Sequence, residues 1–314
     1  MAMSAPPDVR VHRDADGRAF HHVLRVHPGA RSLVAHFSAF FGEWGNARPY
    51  RTNYQGYFHR LRMLADVDRH HWLFLCDEYG AEHNGTYYTG ERGNDFVARA
   101  TQAIVVGALD EVGLTADRLV TMGSSMGATG ALDVGLDLGV AGIVAISPHI
   151  DLDIAAAMCG RDRHVAAICP DGNPLSSTNH VVTRRIRRRL ESWTPERPLP
   201  RLFVQSCCDD VGVHKEQVLP LIETWRKLGG RVDHDARPKG GHTSDWATRE
   251  LLLDTTDRIL AHEPIDLTLY QTAPPYLGTR TTPPLSHRLR RAASLTRKRL
   301  LRGGQREKST VGRR

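Results

Sequence analysis

The chain has 314 residues, 40% of them hydrophobic, which is enough to bury the core of one large domain with an appendage. Its formal net charge is +7, but residues 285–314 alone contribute +10, so the rest is mildly acidic. No apolar run is long enough to span a bilayer, and the N-terminus lacks a signal-peptide core. Five cysteines without C-x-x-C spacing favour buried thiols over a zinc site, which predicts a cytoplasmic protein.

Short apolar runs alternate with helical patterns along the chain. Strands are predicted at 9–12, 19–26, 32–37, 72–76, 118–122, 141–146, 202–205 and 231–234, and helices at 57–65, 96–112, 127–132, 181–193, 215–228 and 245–262. Because strands bare of polar residues alternate with helices, we expect an α/β fold with a mostly parallel sheet covered on both faces. A Pro/Asn/Ser-rich stretch and an arginine-rich helix interrupt the alternation at 148–199, which predicts an insert.

The motif Gly-Ser-Ser-Met-Gly at 123–127 follows an apolar strand and precedes a small-residue helix. A G-x-S-x-G motif in this setting places its serine on a sharp turn, and glycines two residues away on either side prevent backbone clashes. Ser125 is therefore the predicted nucleophile, because Ser124 lacks glycines at those positions. The backbone N–H of Met126 is predicted to be one donor of an oxyanion hole.

Two later loops carry the groups that a serine nucleophile needs. Asp209 and Asp210 follow the seventh predicted strand, and His242 follows the eighth. Because parallel strands release their C-terminal loops at the same sheet edge, these side chains are expected to meet Ser125. His242 would act as general base, and a carboxylate would orient it. Asp209 is preferred because it comes first after the strand, and Asp210 stays open as the alternative.

The order Ser, Asp, His after successive strands resembles the α/β-hydrolase fold over about residues 9–262. Within that family, Asp209 followed by Val211 also matches a D-x-V-like pattern around the acid. The resemblance implies an α/β-hydrolase domain at 1–265 with a lid at 148–199. It further implies a serine acyl hydrolase of esterase type that forms an acyl-enzyme and uses no cofactor or metal.

The second oxyanion donor is expected in the loop after the third strand. This loop reads His36-Phe37-Ser38-Ala39-Phe40 where many esterases have His-Gly, and the N–H of Ala39 is our candidate, with Ser38 to orient it or to contact substrate. His36 itself is more typical of a packed strand residue. In the glycine-rich loop after the fourth strand, Tyr87 and Tyr88 are candidates to stack on sugar rings, the alternative being that they anchor the loop.

A second resemblance concerns the FSAF-like strand exit, the tyrosine-rich loop and the segment GSSMGATGAL. These are similar to hydrolase-fold proteins of capsular polysaccharide biosynthesis and of accessory secretion systems for glycosylated adhesins. The resemblance implies a glycan O-acyltransferase as an alternative, with a small-molecule or glycan ester as substrate. A non-catalytic hydrolase-fold scaffold is the third alternative, although a scaffold has no physical need for all three catalytic residue types.

Two basic segments of the chain are candidates for binding an anionic partner. The arginine-rich helix of the insert carries Arg184, Arg185, Arg187, Arg188 and Arg189. This pattern is typical of a solvated helix face, or of the site for an anionic substrate if the helix faced the cleft. A Pro/Thr-rich linker at 266–284 precedes the basic tail at 285–314. The tail's amphipathic pattern predicts docking to an anionic membrane surface, with a solvated tail as the alternative. Nucleic acid is disfavoured because the tail lacks aromatic residues.

Overall fold

A computed structural model describes residues 8–40 and 58–270, and these residues form one 8-stranded sheet with helices around it. Its strands are β1 (Arg10–Arg13), β2 (Ala19–Arg25), β3 (Leu33–Phe37), β4 (His71–Leu75), β5 (Leu119–Ser124), β6 (Gly142–Ile146), β7 (Arg201–Cys207) and β8 (Val232–Arg237). They are ordered β1-β2-β4-β3-β5-β6-β7-β8. The basic tail and most of the predicted linker lie outside the described residues, as does the first residue of the helix predicted at 57–65.

Strand direction follows the predicted mostly parallel arrangement. β2 pairs antiparallel with β1 and β4, and the remaining pairings in the described sheet are parallel. The central register places Phe37 opposite Gly123 and Ile146 opposite Gln205. The C-terminal ends of β3 to β8 therefore share one edge of the sheet, where the loops with the candidate catalytic residues emerge.

Helices cover both faces of this sheet. Their bounds are α1 (Leu61–Leu64), α2 (Phe96–Val112), α3 (Met126–Leu138), α4 (Leu152–Met158), α5 (Asp162–Ile168), α6 (His180–Thr183), α7 (Arg185–Glu191), α8 (Val211–Val213), α9 (Leu219–Lys227) and α10 (Arg249–Leu260). A π-helical segment, His214–Val218, joins α8 to α9. Apolar side chains of α2, α3 and α9 share a core cluster on one face, and those of α1 and α10 share the other.

β3 shows why the central strands carry almost no polar residues. Leu33, Ala35 and Phe37 point into the first core cluster, whereas Val34 points into the second. His36 lies on the same face as Val34 and is fully buried, edge-on to His59 and tilted against Phe74. A strand buried on both faces cannot show an alternating polar pattern. The packed role expected for His36 is therefore confirmed.

Arginine–aspartate pairs hold the insert between β6 and β7, some to α3 and some within the insert itself. Arg185 and Arg189 of α7 both bind Asp133 of α3, at 2.8 and 2.5 Å. Arg187 pairs with Asp151, which is 1% exposed. The expectation of a solvated arginine face is thus wrong for these residues, because aspartates outside the helical pattern of 181–193 meet them in the fold. No helix within the described ranges is long and apolar enough to cross a membrane.

Candidate active site

A strained turn connects β5 to α3 at Ser125. This residue has φ 53° and ψ −120°, a combination that L-amino acids rarely adopt. A Cβ on Gly123 would lie 2.2 Å from the carbonyl oxygen of Gly127, and a Cβ on Gly127 would lie 2.2 Å from that of Phe37. Both contacts are with backbone atoms, so no side-chain movement could relieve them. The two motif glycines are therefore required where the turn meets the end of β3.

The strain at Ser125 predicts that Ser125→Gly is more stable than Ser125→Ala. Glycine adopts this backbone conformation freely, whereas alanine keeps the strain of a Cβ residue. Glycine removes the strain at this position but adds entropy to the unfolded chain. The net difference in free energy of unfolding is expected to be about 1 kcal/mol. Urea denaturation of the two variants measures the difference in free energy of unfolding. Equal stability, or a more stable alanine variant, would show that the turn is unstrained.

Ser124, the rival serine, is used structurally. Its side chain is 2% exposed, and its hydroxyl accepts a hydrogen bond from Nη1 of Arg60 at 2.8 Å. The same guanidinium donates from Nη2 to the carbonyl oxygen of Ser244 at 3.4 Å. Arg60 thus connects the end of β5 with the loop that carries His242, a function that its position in the sequence did not indicate.

Three side chains from separate loops form a continuous hydrogen-bonded chain. The hydroxyl of Ser125 lies 2.8 Å from Nε2 of His242, and Nδ1 of His242 lies 2.8 Å from Oδ2 of Asp210. With the Nδ1–H tautomer, His242 donates to the carboxylate and accepts from the hydroxyl. The His242 and Asp210 side chains are 28% and 14% exposed, so the serine end stays open to substrate while the acid is shielded.

The carboxylate that contacts His242 is that of Asp210, which corrects the preference for Asp209. β7 continues two residues beyond its predicted end, to Cys207, so Asp209 falls in the turn after the strand and Asp210 comes next to α8. The carboxylate of Asp209 instead accepts hydrogen bonds from the N–H groups of Gly240 and Gly241, at 3.1 and 2.8 Å. Asp209 therefore fixes the backbone that precedes His242.

The backbone at the end of β3 is held close to the strained turn. Ser38 donates its N–H to the carbonyl of Leu75 at 3.1 Å, and its hydroxyl accepts from the N–H of His59 at 3.0 Å. Within the described residues, the N–H groups of Ala39 and Met126 donate to no acceptor. These two amides, without an acceptor in the described part of the chain, flank the junction between the β3 exit and the first turn of α3.

The predicted substrate contacts of Ser38, Tyr87 and Tyr88 are wrong. Each of these residues is 1% exposed, so none offers a surface to a sugar ring. The hydroxyl of Tyr88 donates to the carbonyl oxygens of Ser38 and Leu75 at 3.1 and 3.3 Å, and its ring packs edge-on to Phe37. The alternative, that the tyrosines anchor their loop, is the one that the structure shows for Tyr88.

The loop after β4 folds inward around Asp77. This buried carboxylate accepts hydrogen bonds from the N–H groups of Thr86 and Tyr88, at 2.6 and 2.9 Å. Tyr87 and Tyr88 both have φ 58°, a left-handed conformation that turns their side chains into the core. The glycines and tyrosines of this loop do not reveal the conformation in the sequence, because the conformation depends on hydrogen bonds to the carboxylate of Asp77.

His149 was not predicted and lies directly against the candidate base. Its ring stacks on that of His242 with centroids 4.9 Å apart and an interplanar angle of 22°. It is fully buried, and neither ring nitrogen has a partner among the described residues. Burial, followed by the charges of His242 and Arg161, holds the pKa of His149 well below its usual value of 6.5. Its position just after β6, at the same sheet edge, was the available signal.

The depressed pKa of His149 predicts a contribution to acid sensitivity. Below pH 6.5 the unfolded chain binds a proton at this residue that the folded chain does not. Its contribution to stability is therefore complete above that pH and is lost as the pH falls, by about 1.4 kcal/mol per pH unit. Urea denaturation at several pH values below 6.5 should show a shallower pH dependence for His149→Phe than for wild type. An unchanged slope would contradict a neutral buried imidazole.

No model of a protein family matches this chain, and no curated protein matches it either. Solved structures do share its fold. The Glycosylation Associate Protein (Gap123) complex from Streptococcus agalactiae aligns with a TM-score of 0.61 and 17% identity, over 80% of this chain and 45% of that chain. The capsule O-acetyltransferase of Neisseria meningitidis serogroup A aligns with a TM-score of 0.57 and 13% identity, over 78% and 96% of the two chains.

A third similar structure is FphF, a fluorophosphonate-binding serine hydrolase of Staphylococcus aureus. It aligns with a TM-score of 0.53 and 11% identity, over 82% of this chain and 99% of that one. This chain thus spans less than half of the Gap123 chain but nearly all of the other two. At these identities the comparisons establish the fold alone, and the predicted α/β-hydrolase fold is confirmed.

Proposed function

We propose that this protein is a serine-dependent acyl hydrolase of esterase type that works through an acyl-enzyme. The observation that carries the proposal is the pair of 2.8 Å hydrogen bonds that connects Ser125, His242 and Asp210 at the open edge of the sheet. A serine hydroxyl is a weak nucleophile near neutral pH unless a base takes its proton. The hydrogen-bonded side chains supply His242 as that base and Asp210 as the carboxylate that orients it.

The first half of the reaction acylates Ser125. Its oxygen attacks the ester carbonyl carbon while its proton passes to Nε2 of His242, and Asp210 stabilises the resulting imidazolium. The N–H groups of Met126 and Ala39 would bind the negatively charged oxygen of the tetrahedral intermediate. When that intermediate collapses, the bond to the alcohol oxygen breaks, and the alcohol leaves with the proton from His242.

The second half transfers the acyl group to an acceptor. An incoming hydroxyl gives its proton to His242 and attacks the acyl carbon, after which Ser125 departs and regains a proton. If the acceptor is water, the product is a free acid, and if it is a sugar hydroxyl, the product is an acylated glycan. Glycan O-acyl transfer is our second candidate function, supported by the similarity to a capsule O-acetyltransferase and to a glycosylation-associated complex.

Pre-steady-state hydrolysis of p-nitrophenyl acetate tests this function. We expect a burst of nitrophenol that approaches one equivalent per wild-type chain, and no burst with Ser125→Ala. Mass spectrometry of the same reaction with added monosaccharides separates acetate from acetylated sugar as the final product. A burst that persists in Ser125→Ala would contradict the proposal, whereas acetylated sugar as the main product would favour the transferase.

A further inference from the structure

Arg161 lies between α4 and α5 and contacts the segment that follows β3. Its guanidinium carbon is 4.8 Å from the centroid of the Phe40 ring, and Phe40 follows Ala39 directly in the chain. The ring is held edge-on by the buried His164, with centroids 4.2 Å apart. The cation is therefore positioned on the side of the site where the proposed oxyanion amide of Ala39 lies.

The charge of Arg161 acts on two groups close to the candidate catalytic residues. It opposes the rise in the pKa of Cys159, which burial and Asp210 bring to about 11, and it adds to the lowering of the pKa of His149. The ring of His149 lies 4.9 Å from that of His242. Arg161 and Asp210 thus both act on Cys159, and Arg161 and His242 both act on His149.

Arg161 differs from Arg185, Arg187 and Arg189 of α7, which pair with aspartates, in having no carboxylate partner among the described residues. Among the described residues, none with a carboxylate lies within ion-pair distance of it, although it is half-buried. Arg163, two residues later, binds Glu82 at 2.8 Å, and Arg187 of α7 binds Asp151. A partly desolvated guanidinium without a counter-charge is stabilised when an anion binds it, and its planar fork suits carboxylate and phosphate.

We propose that Arg161 binds a carboxylate or phosphate that the substrate carries beside the reacting acyl group. The inference rests on the proposed function and makes its substrate an anionic ester. The ring of Phe40 contacts one face of the guanidinium by a cation–π interaction. The edge of the guanidinium is therefore free to form two parallel hydrogen bonds with the anion. Neutral esters of equal size would lack this interaction and react more slowly.

The test uses fluorophosphonates that differ in one terminal group: a methyl ester, a carboxylate or a phosphate. Each terminal group is attached to either of the two organic substituents on phosphorus, through a short or a long spacer. Intact-mass spectrometry measures the rate at which the adduct forms. We expect wild type to react at least about tenfold faster with an anionic probe than with the methyl ester. In Arg161→Gln the ratio should fall to about one, and Arg161→Lys should restore part of it.

Arg163→Gln is the matched control, because it removes a neighbouring arginine that already has a carboxylate partner. This variant should keep the wild-type ratio of rates. An adduct with no preference for anionic probes, or a preference unchanged in Arg161→Gln, would overturn the inference and leave the proposed function standing. Absence of any adduct on folded wild type would overturn both. The anion with the larger Arg161-dependent ratio identifies the class of substrate.

Discussion

Asp210→Asn is expected to slow the reaction of Ser125 with a fluorophosphonate by about 10³- to 10⁴-fold. An amide in place of the carboxylate can turn its carbonyl oxygen to His242 but cannot stabilise a positive imidazolium. It can also donate to Nδ1 and so select the tautomer in which Nε2 no longer accepts the serine proton. The rate of adduct formation, followed by intact mass, measures the effect.

Asp209→Asn is the matched comparison, since the two aspartates are adjacent and of equal size. Its loss of rate should be smaller, about tenfold, because Asp209 acts on His242 only through the amides of Gly240 and Gly241. Circular dichroism and thermal unfolding would establish that both variants are folded. Larger losses in Asp209→Asn than in Asp210→Asn would contradict the assignment of Asp210 as the acid.

Gly127→Ala is expected to lower the free energy of unfolding by about 3 kcal/mol or more and to abolish labelling of Ser125. The new Cβ would lie 2.2 Å from the carbonyl oxygen of Phe37 and 2.8 Å from that of Ser38. Because both are backbone atoms, α3 must separate from the end of β3, and the two amides of the site would move apart. Urea denaturation and adduct formation measure the two effects.

Gly107→Ala provides the control for this substitution. Gly107 lies inside α2, and a Cβ there would have no heavy atom within 4 Å. Alanine favours a helix over glycine by about 1 kcal/mol, so this variant should be slightly more stable and fully reactive. If the two variants were destabilised to a similar extent, the close approach of α3 to β3 would not be the reason that position 127 requires glycine.

The fold was predictable because its signals are local and repeated. The helix at 96–112 has the predicted bounds, and each predicted strand overlaps an observed one. The apolar strands, buried on both faces, left little room for another arrangement. The helices α4 and α5 were missed, because they lie in the insert where the alternation of strands and helices, on which the prediction depended, is interrupted.

The candidate site was predictable at the level of loops and less so at the level of side chains. A strand-turn-helix motif located Ser125, and the shared sheet edge located His242 and the pair of aspartates. The choice between Asp209 and Asp210 depended on where β7 ends, and the observed strand continues two residues beyond its predicted end. The stacking of His149 on His242 and the contact of Arg161 with Phe40 depend on side-chain packing, which position after a strand does not specify.

A covalent phosphonate adduct would show whether Ser125 is a nucleophile that His242 activates. Wild type, Ser125→Ala and His242→Ala are treated with a neutral fluorophosphonate, and the adduct is counted by intact mass and located by peptide mapping. We predict one adduct per wild-type chain, on Ser125, and none on either variant over the same time. No adduct on folded wild type, or an adduct that persists in Ser125→Ala, would contradict the claim.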